Sequence, residues 1–208
     1  MFATKRLQKE LSKAKTKLPP GISIAKADDF REWQMDIVVL DDNPIYNGDI
    51  YRLSFIFGTQ YPIEAPEVSF IKVNSTTTAN NTTPNSAAQP IDLTSDDTPA
   101  KPNTDTGARP IPIHPHIYSN GIICLDLLGA AGWSPVQSVE SVCVSIQSML
   151  TGNTKNVRPE GDDAFCRSMG VRGPNGWSGS GRSEGGIWYG NGGRGLKDVR
   201  FAYDDDKV

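Results

Sequence analysis

Residues 74–108, NSTTTANNTTPNSAAQPIDLTSDDTPAKPNTDTGA, limit every fold open to this 208-residue chain. They hold no aromatic side chain and are dominated by Thr, Asn, Pro, Ala and Asp. Such a stretch buries too little apolar surface to offset the entropy of ordering it, so it is expected to be a disordered insert. A second biased stretch begins near residue 170, GVRGPNGWSGSGRSEGGIWYGNGGRG, and precedes LKDVRFAYDDDKV. It reads as a Gly-rich tether. Ordered structure is then confined to 1–73 and 109–166. With 37% hydrophobic residues the chain can build one core from those two pieces. The expected organisation is a domain over 1–166 interrupted at 74–108, then a flexible tail over 167–208 with a short acidic end.

Charge and composition exclude several partners. The net charge is −3, without the basic excess that grips a phosphate backbone, so nucleic acid is not expected as a partner. No window approaches 18 consecutive apolar residues, and MFATKRLQKE places charges where a signal peptide needs its apolar run. The protein is expected to be neither secreted nor membrane-bound. Cys124, Cys143 and Cys166 are too few and too odd in number for a disulfide framework, which suggests reduced thiols in the cytoplasm, the nucleus or both.

Hydrophobic spacing orders the remainder. Phe2, Leu7, Leu11, Ala14 and Leu18 recur at three- to five-residue intervals until Pro19-Pro20-Gly21, predicting a helix of about four turns. Its other face carries Lys5, Arg6, Lys9, Lys13, Lys15 and Lys17 against Glu10 alone, as a solvated face or a docking surface would. Trp33, Met35, Ile37 and Val39 alternate with Gln34, Asp36 and Val38, and Tyr51, Leu53, Phe55 and Phe57 alternate around Arg52 and Ser54. DDNPIYNGD reads as their hairpin connection, and a third run follows from Val68 to Val73. Near the end, Ser134 is expected as a helix cap with Pro135 at the first position and Gln137 closing a capping box. Val139, Val142, Cys143, Ile146, Met149 and Leu150 then trace one face up to Gly152, with Cys143 in the core. The order of elements points to an α+β fold: an N-terminal helix, a four-stranded antiparallel sheet and C-terminal helices packed on one face.

Chemistry concentrates in PIHPHIYSNGIICLD, residues 112–126. Pro115 is expected to hold an extended backbone that projects His114 and His116 to one side. Asn120-Gly121 turns the chain and brings Cys124 back toward them, which makes Cys124 a candidate nucleophile on a rigid loop.

This segment resembles the active-site signature of the ubiquitin-conjugating enzymes, His-Pro-Asn, a turn ending in Asn-Gly, then a cysteine followed by Leu and often Asp. Lys5 to Leu11 is similar to that family's first helix, Tyr61-Pro62-Ile63-Glu64-Ala65-Pro66 to its Pro-rich strand lead-in, and Trp133-Ser134-Pro135 to the loop before its second helix. His116 stands where the family has asparagine. With Ser138 to Leu150, Arg158-Pro159 and the aromatic-then-acidic ending, that exchange is similar to the W-type branch. The resemblance implies an acyltransferase that takes ubiquitin onto Cys124 from the activating enzyme and passes it to an amine. The acceptor implied by the W-type branch is the α-amino group of a flexible protein N-terminus. No cofactor is implied, since ATP is consumed upstream. Catalytic roles fall on Cys124, His116 and His114, loop-shaping roles on Pro115, Tyr118 and Asn120, and an acidic gate on Asp162 or Asp163. Arg6, Lys9, Ile63, Ser134, Pro135 and Val136 correspond to the family's docking surface for RING-type ligases.

Pro90 to Asp97, PIDLTSDD, resembles a SUMO-interacting motif, with Ile91, Asp92, Leu93 and Thr94 as its β-forming core. Four alternatives stand beside the conjugating enzyme. A zinc site on His114, His116 and Cys124 lacks a fourth ligand and a CxxC pair. A cysteine hydrolase leaves the first-helix and Trp-Ser-Pro matches unexplained. A non-catalytic binding module of the same fold, and a conjugating enzyme for another ubiquitin-like modifier, both remain open.

Overall fold

The computed structural model describes residues 2–74, 107–129, 132–169, 171–173 and 176–178. Most of the expected insert, including Ile91, Asp92, Leu93 and Thr94, and most of the expected tail lie outside the described residues.

Helix α1 covers Phe2–Thr16 and stops ahead of the two prolines, which cannot continue it. Four antiparallel strands follow in sequential order: β1 Ile22–Lys26, β2 Glu32–Val38, β3 Ile50–Ile56 and β4 Glu67–Ile71. The β2–β3 pairing runs unbroken from Glu32 opposite Ile56 to Val38 opposite Ile50, so DDNPIYNGD lies in the link between two paired strands, as expected. Helix α2 covers Val139–Thr151 and α3 covers Asp162–Met169. A two-stranded hairpin, β5 Val171–Gly173 with β6 Gly176–Ser178, comes next. The expected domain end at 166 therefore falls within α3, and the start of the Gly-rich stretch is paired strand.

Alternation in the strands delivers Trp33, Met35, Ile37, Tyr51, Leu53, Phe55, Val68 and Phe70 to one face of the sheet. Against it pack Leu7 of α1 and Val139, Val142, Cys143, Ile146 and Leu150 of α2. Each such side chain contributes roughly 1.5–3 kcal/mol by leaving water, so this layer dominates stability.

The expected start of the second helix is corrected. Helix α2 is capped by Ser138 rather than Ser134: the Ser138 hydroxyl accepts from Ser141 N and the Ser141 hydroxyl accepts from Ser138 N. Ser134 to Gln137 instead form a turn, with Gln137 N donating to Ser134 O at 2.9 Å. Proline suits the second place of a turn as well as the first turn of a helix. The choice comes from α1, whose Glu10 carboxylate accepts from Val139 N at 2.9 Å and so satisfies the first orphan amide of α2.

Asp36 lies on the face of β2 away from the main core and is buried. Its carboxylate receives the Arg52 fork at 2.7 and 2.9 Å and two contacts from Arg109 at 3.2 Å. Arg109 also exchanges backbone hydrogen bonds with Val73, at 2.9 and 2.8 Å. Val73 and Arg109 are thus held side by side, and the length of chain joining such a pair adds only a slowly growing entropy of closure.

Candidate active site

A narrow antiparallel loop carries the chemistry-bearing residues. Ile117 pairs with Ile123, Cys124 N donates to His116 O at 2.8 Å, and Tyr118 N donates to Ile122 O at 2.9 Å. Side chains alternate faces along such a ladder. Ile117 and Ile123 enter the main core, whereas Tyr118, Ile122 and Cys124 form a separate cluster on the other side. This register sets His116 directly across from Cys124, where opposed Cβ atoms stand about 4.5–5.5 Å apart. The loop turns at Gly121, whose φ of 91° is a left-handed conformation. A Cβ there would lie 2.0 Å from the Phe70 carbonyl, while Gly121 O accepts from Phe70 N at 2.8 Å. Glycine is required by both facts, and the close approach fastens the loop to β4. Asn120 shapes the same turn by accepting from Ile122 N at 3.2 Å; its buried amide nitrogen has no hydrogen-bond partner among the described residues.

The histidines meet by a different route from the one expected. His114-Pro115-His116-Ile117 is a turn, not an extended segment, closed by Ile117 N donating to His114 O at 3.0 Å. Pro115 accommodates it because a fixed φ near −65° also suits a turn. The two rings come within 5.4 Å. His114 is 5% exposed, and its Nδ1 accepts from His116 N at 2.9 Å. Burial, reinforced by the neighbouring His116, pushes its pKa down to about 4 against an opposing backbone hydrogen bond with Met149. His114 is therefore a neutral prop for the turn at ordinary pH. His116, half-buried, is the ring on the cysteine's strand pair.

Cys124 is 8% exposed, and the cover comes from α3, not from the main core. Met169 joins its cluster, and Phe165 and Cys166 pack against it. Phe165 stacks on Tyr118 with ring centroids 3.9 Å apart and planes at 22°. Asp162 accepts from Ser119 N at 2.8 Å, and Ser119 Oγ lies 3.3 Å from Cys166 Sγ. Asp162 therefore docks α3 on the loop, while Asp163 faces solvent. Burial pushes the Cys166 thiol up, and that of core-buried Cys143 further still. Among the described residues, no group of three His, Cys, Asp or Glu is placed to hold a metal ion, and no helix is long and apolar enough to cross a membrane.

Residues 6–165 match the family model described as ubiquitin-conjugating enzyme. The chain belongs to the ubiquitin-conjugating enzyme family. A Dictyostelium discoideum protein named "Probable ubiquitin-conjugating enzyme E2 W" is 39% identical over 206 residues, covering 98% of this chain and 96% of its own. The "Ubiquitin-conjugating enzyme E2 W" of Caenorhabditis elegans is 32% identical over 169 residues, 80% of this chain and 86% of its own. Among solved structures, the ubiquitin-conjugating enzyme E2 UbcA1 from Agrocybe aegerita matches with a TM-score of 0.60 at 35% identity, covering 80% of this chain and 94% of that one. The protein is thus a transferase of the class that forms a cysteine thioester, with ubiquitin, an activating enzyme and ligases as its family's partners.

The surface expected to meet ligases is built from two loop tips. Ile63 is 71% and Val136 83% exposed, flanked by exposed Pro135 and Lys9 and half-buried Ser134. Trp133 Nε1 donates to Pro62 O at 2.8 Å and ties the loops together. Arg6 departs from its expected outward role: its guanidinium donates inward to the Pro135 and Gln137 carbonyls and pairs with Glu10. Glu10 also accepts from the Tyr61 hydroxyl at 2.7 Å. Sequence reading assigned no part here to Glu10, nor to Tyr46 and Arg158, whose hydroxyl and guanidinium donate to carbonyls between Ile111 and Ile117. Their roles depend on carbonyls and amides of distant segments, which leave no periodic trace.

Proposed function

We propose that this ubiquitin-conjugating enzyme carries ubiquitin on Cys124 and transfers it to the α-amino group of flexible substrate N-termini in preference to lysine. The supporting observation is the register that faces His116, in the position of the family's asparagine, across the ladder from Cys124. In the first step the Cys124 thiolate attacks the ubiquitin thioester on the activating enzyme; a new S–C bond forms and the activating enzyme's thiolate leaves. In the second step a neutral amine attacks the same carbonyl, the C–N bond forms, the C–S bond breaks and the Cys124 thiolate leaves. The amine proton passes to His116 or to water. A donor on the loop steadies the oxyanion between these events.

Amine chemistry explains how asparagine can be exchanged. With pKa values near 10.4 for lysine and 7.7–8.0 for an α-amine, the α-amine is roughly 300 times richer in its neutral form at pH 7. An acceptor already neutral needs less help from the loop, and an imidazole that donates or takes a proton is sufficient.

The test charges the enzyme with activating enzyme, ATP and ubiquitin, then offers a lysine-free protein with a disordered N-terminus, free or acetylated. Modification of the free form alone is expected, through a band lost on reduction and absent in Cys124→Ser. Equal discharge to free lysine overturns the α-amine preference. Failure to form the reducible band leaves a non-catalytic binding module of the same fold, and charging by another modifier instead of ubiquitin would reassign the cargo. Within the same proposal, SUMO is a partner of residues 88–100 through Ile91, Asp92, Leu93 and Thr94. Binding of that peptide to SUMO should vanish with Ile91→Ala and Leu93→Ala together; a wild-type peptide that does not bind removes this partner.

A further inference from the structure

Between Arg109 and the paired loop, the chain runs Pro110-Ile111-Pro112-Ile113-His114-Pro115-His116-Ile117. Three prolines remove three amide donors, and residues 110–113 belong to no strand. The segment consequently has carbonyls that a ladder cannot satisfy, and leaving buried carbonyls unmatched is costly. Side chains from elsewhere supply the donors. The Tyr46 hydroxyl donates to Ile113 O at 2.7 Å. Arg158, from the connection between α2 and α3, donates to three more: Nη1 to Pro112 O at 2.5 Å and Ile117 O at 3.1 Å, and Nη2 to Ile111 O at 3.1 Å.

These contacts straddle the histidine turn. Ile111 and Pro112 precede His114, and Ile117 follows His116, so one planar guanidinium braces both ends of the turn that presents His116. Ile117 is also the residue paired with Ile123, adjacent to the His116–Cys124 hydrogen bond. A shift of the Ile117 carbonyl therefore moves His116 relative to the thiol. The rigid fork of arginine matches three divergent carbonyls; a lysine ammonium on a flexible stem keeps the charge and loses that geometry.

We infer that Arg158 is a positioning residue for the transfer step: through the carbonyls of Ile111, Pro112 and Ile117 it holds His116 in register with Cys124 while the amine attacks the thioester. This rests on the reading of Cys124 and His116 proposed above. Transfer depends on loop geometry around the scissile carbonyl, where a displacement of about 1 Å lowers rates on the order of a hundredfold. Formation of the thioester is less sensitive, because the attacking atom is the cysteine sulfur itself.

The experiment compares wild type, Arg158→Lys and Arg158→Ala as full-length proteins. Each is charged by activating enzyme and ubiquitin, the thioester is isolated, and single-turnover discharge to a peptide with a free α-amine is followed over a range of peptide concentrations. Both variants should still form the thioester. Their limiting discharge rate should fall roughly tenfold or more, without change in the peptide concentration that gives half of it. Lysine should rescue little of the loss, although it should fold at least as well as alanine by thermal unfolding. A charged Arg158→Lys enzyme that discharges at the wild-type limiting rate overturns the inference, as does a loss confined to half-saturation. Absence of thioester in the wild type, by contrast, refutes the reading of Cys124 and not the brace.

Discussion

Removing the Phe165 ring should unveil Cys124. Helix α3 has eight residues, too few to persist in water unaided, so its position over the thiol depends on what holds it down. Its anchors include the Ser119–Asp162 hydrogen bond, the stacking of Phe165 on Tyr118, buried Met169 and the contact between Cys166 and Ser119. In Phe165→Ala the stacked pair is lost, worth about 0.5–1.5 kcal/mol, together with about 1 kcal/mol of apolar burial for this half-exposed ring. A local shift of about 2 kcal/mol toward the lifted helix follows, and at 1.4 kcal/mol per decade that is roughly a thirtyfold larger open population. The assay is alkylation of Cys124 by iodoacetamide in a Cys166→Ser background, read by intact mass. Cys143, fully buried in the main core, reports global unfolding in the same sample. Reaction at Cys124 should accelerate by about that factor while Cys143 stays unreactive, since opening comes before alkylation. An unchanged Cys124 rate would refute the claim that α3 governs access, and a parallel rise at Cys143 would show that the substitution had loosened the whole fold.

Two further outcomes follow from the loop. His114, with its folded pKa near 4 and an ordinary value near 6.5, favours folding fully above pH 6.5. As pH falls from about 6.5 to 4 the unfolded chain takes up the proton first, and stability declines by up to about 3 kcal/mol. Urea midpoints of wild type should drop over that window more steeply than those of His114→Gln, and parallel slopes would contradict a buried neutral ring. Gly121→Ala should cost about 2–4 kcal/mol, from left-handed strain and the disrupted Gly121–Phe70 hydrogen bond, and should also lower thioester formation. A urea midpoint equal to wild type would mean that the loop is not pressed on β4 as described.

Much of the fold was legible in the residues because its causes are local. Period-two runs in β2 and β3 and the spacing of Leu7, Leu11, Val142, Cys143 and Ile146 specify which faces are apolar before any contact forms. Asn120-Gly121 likewise declares a turn, and the thiol four residues after Asn120 lies within reach of the histidines. The start of α2 was misread for the opposite reason. Ser134-Pro135 is compatible with a helix cap and with a turn, and the Glu10 carboxylate from α1 decided between them.

The sequence by itself determined α1, β2, β3, β4 and the body of α2, their core-facing side chains, the reactive loop and, through its motifs, the family. Tertiary structure alone decided which charges are buried, what covers the thiol and what braces the histidine turn. Asp36 is internal because Arg52 and Arg109 converge on it, Cys124 is shielded because α3 returns to Tyr118, and His116 is held because Arg158 reaches carbonyls over forty positions earlier. Backbone dihedrals and hydrophobic period act over a few residues and are written in neighbouring letters. A hydrogen bond from a guanidinium to a distant carbonyl depends on coordinates that exist only once the sheet and helices have packed.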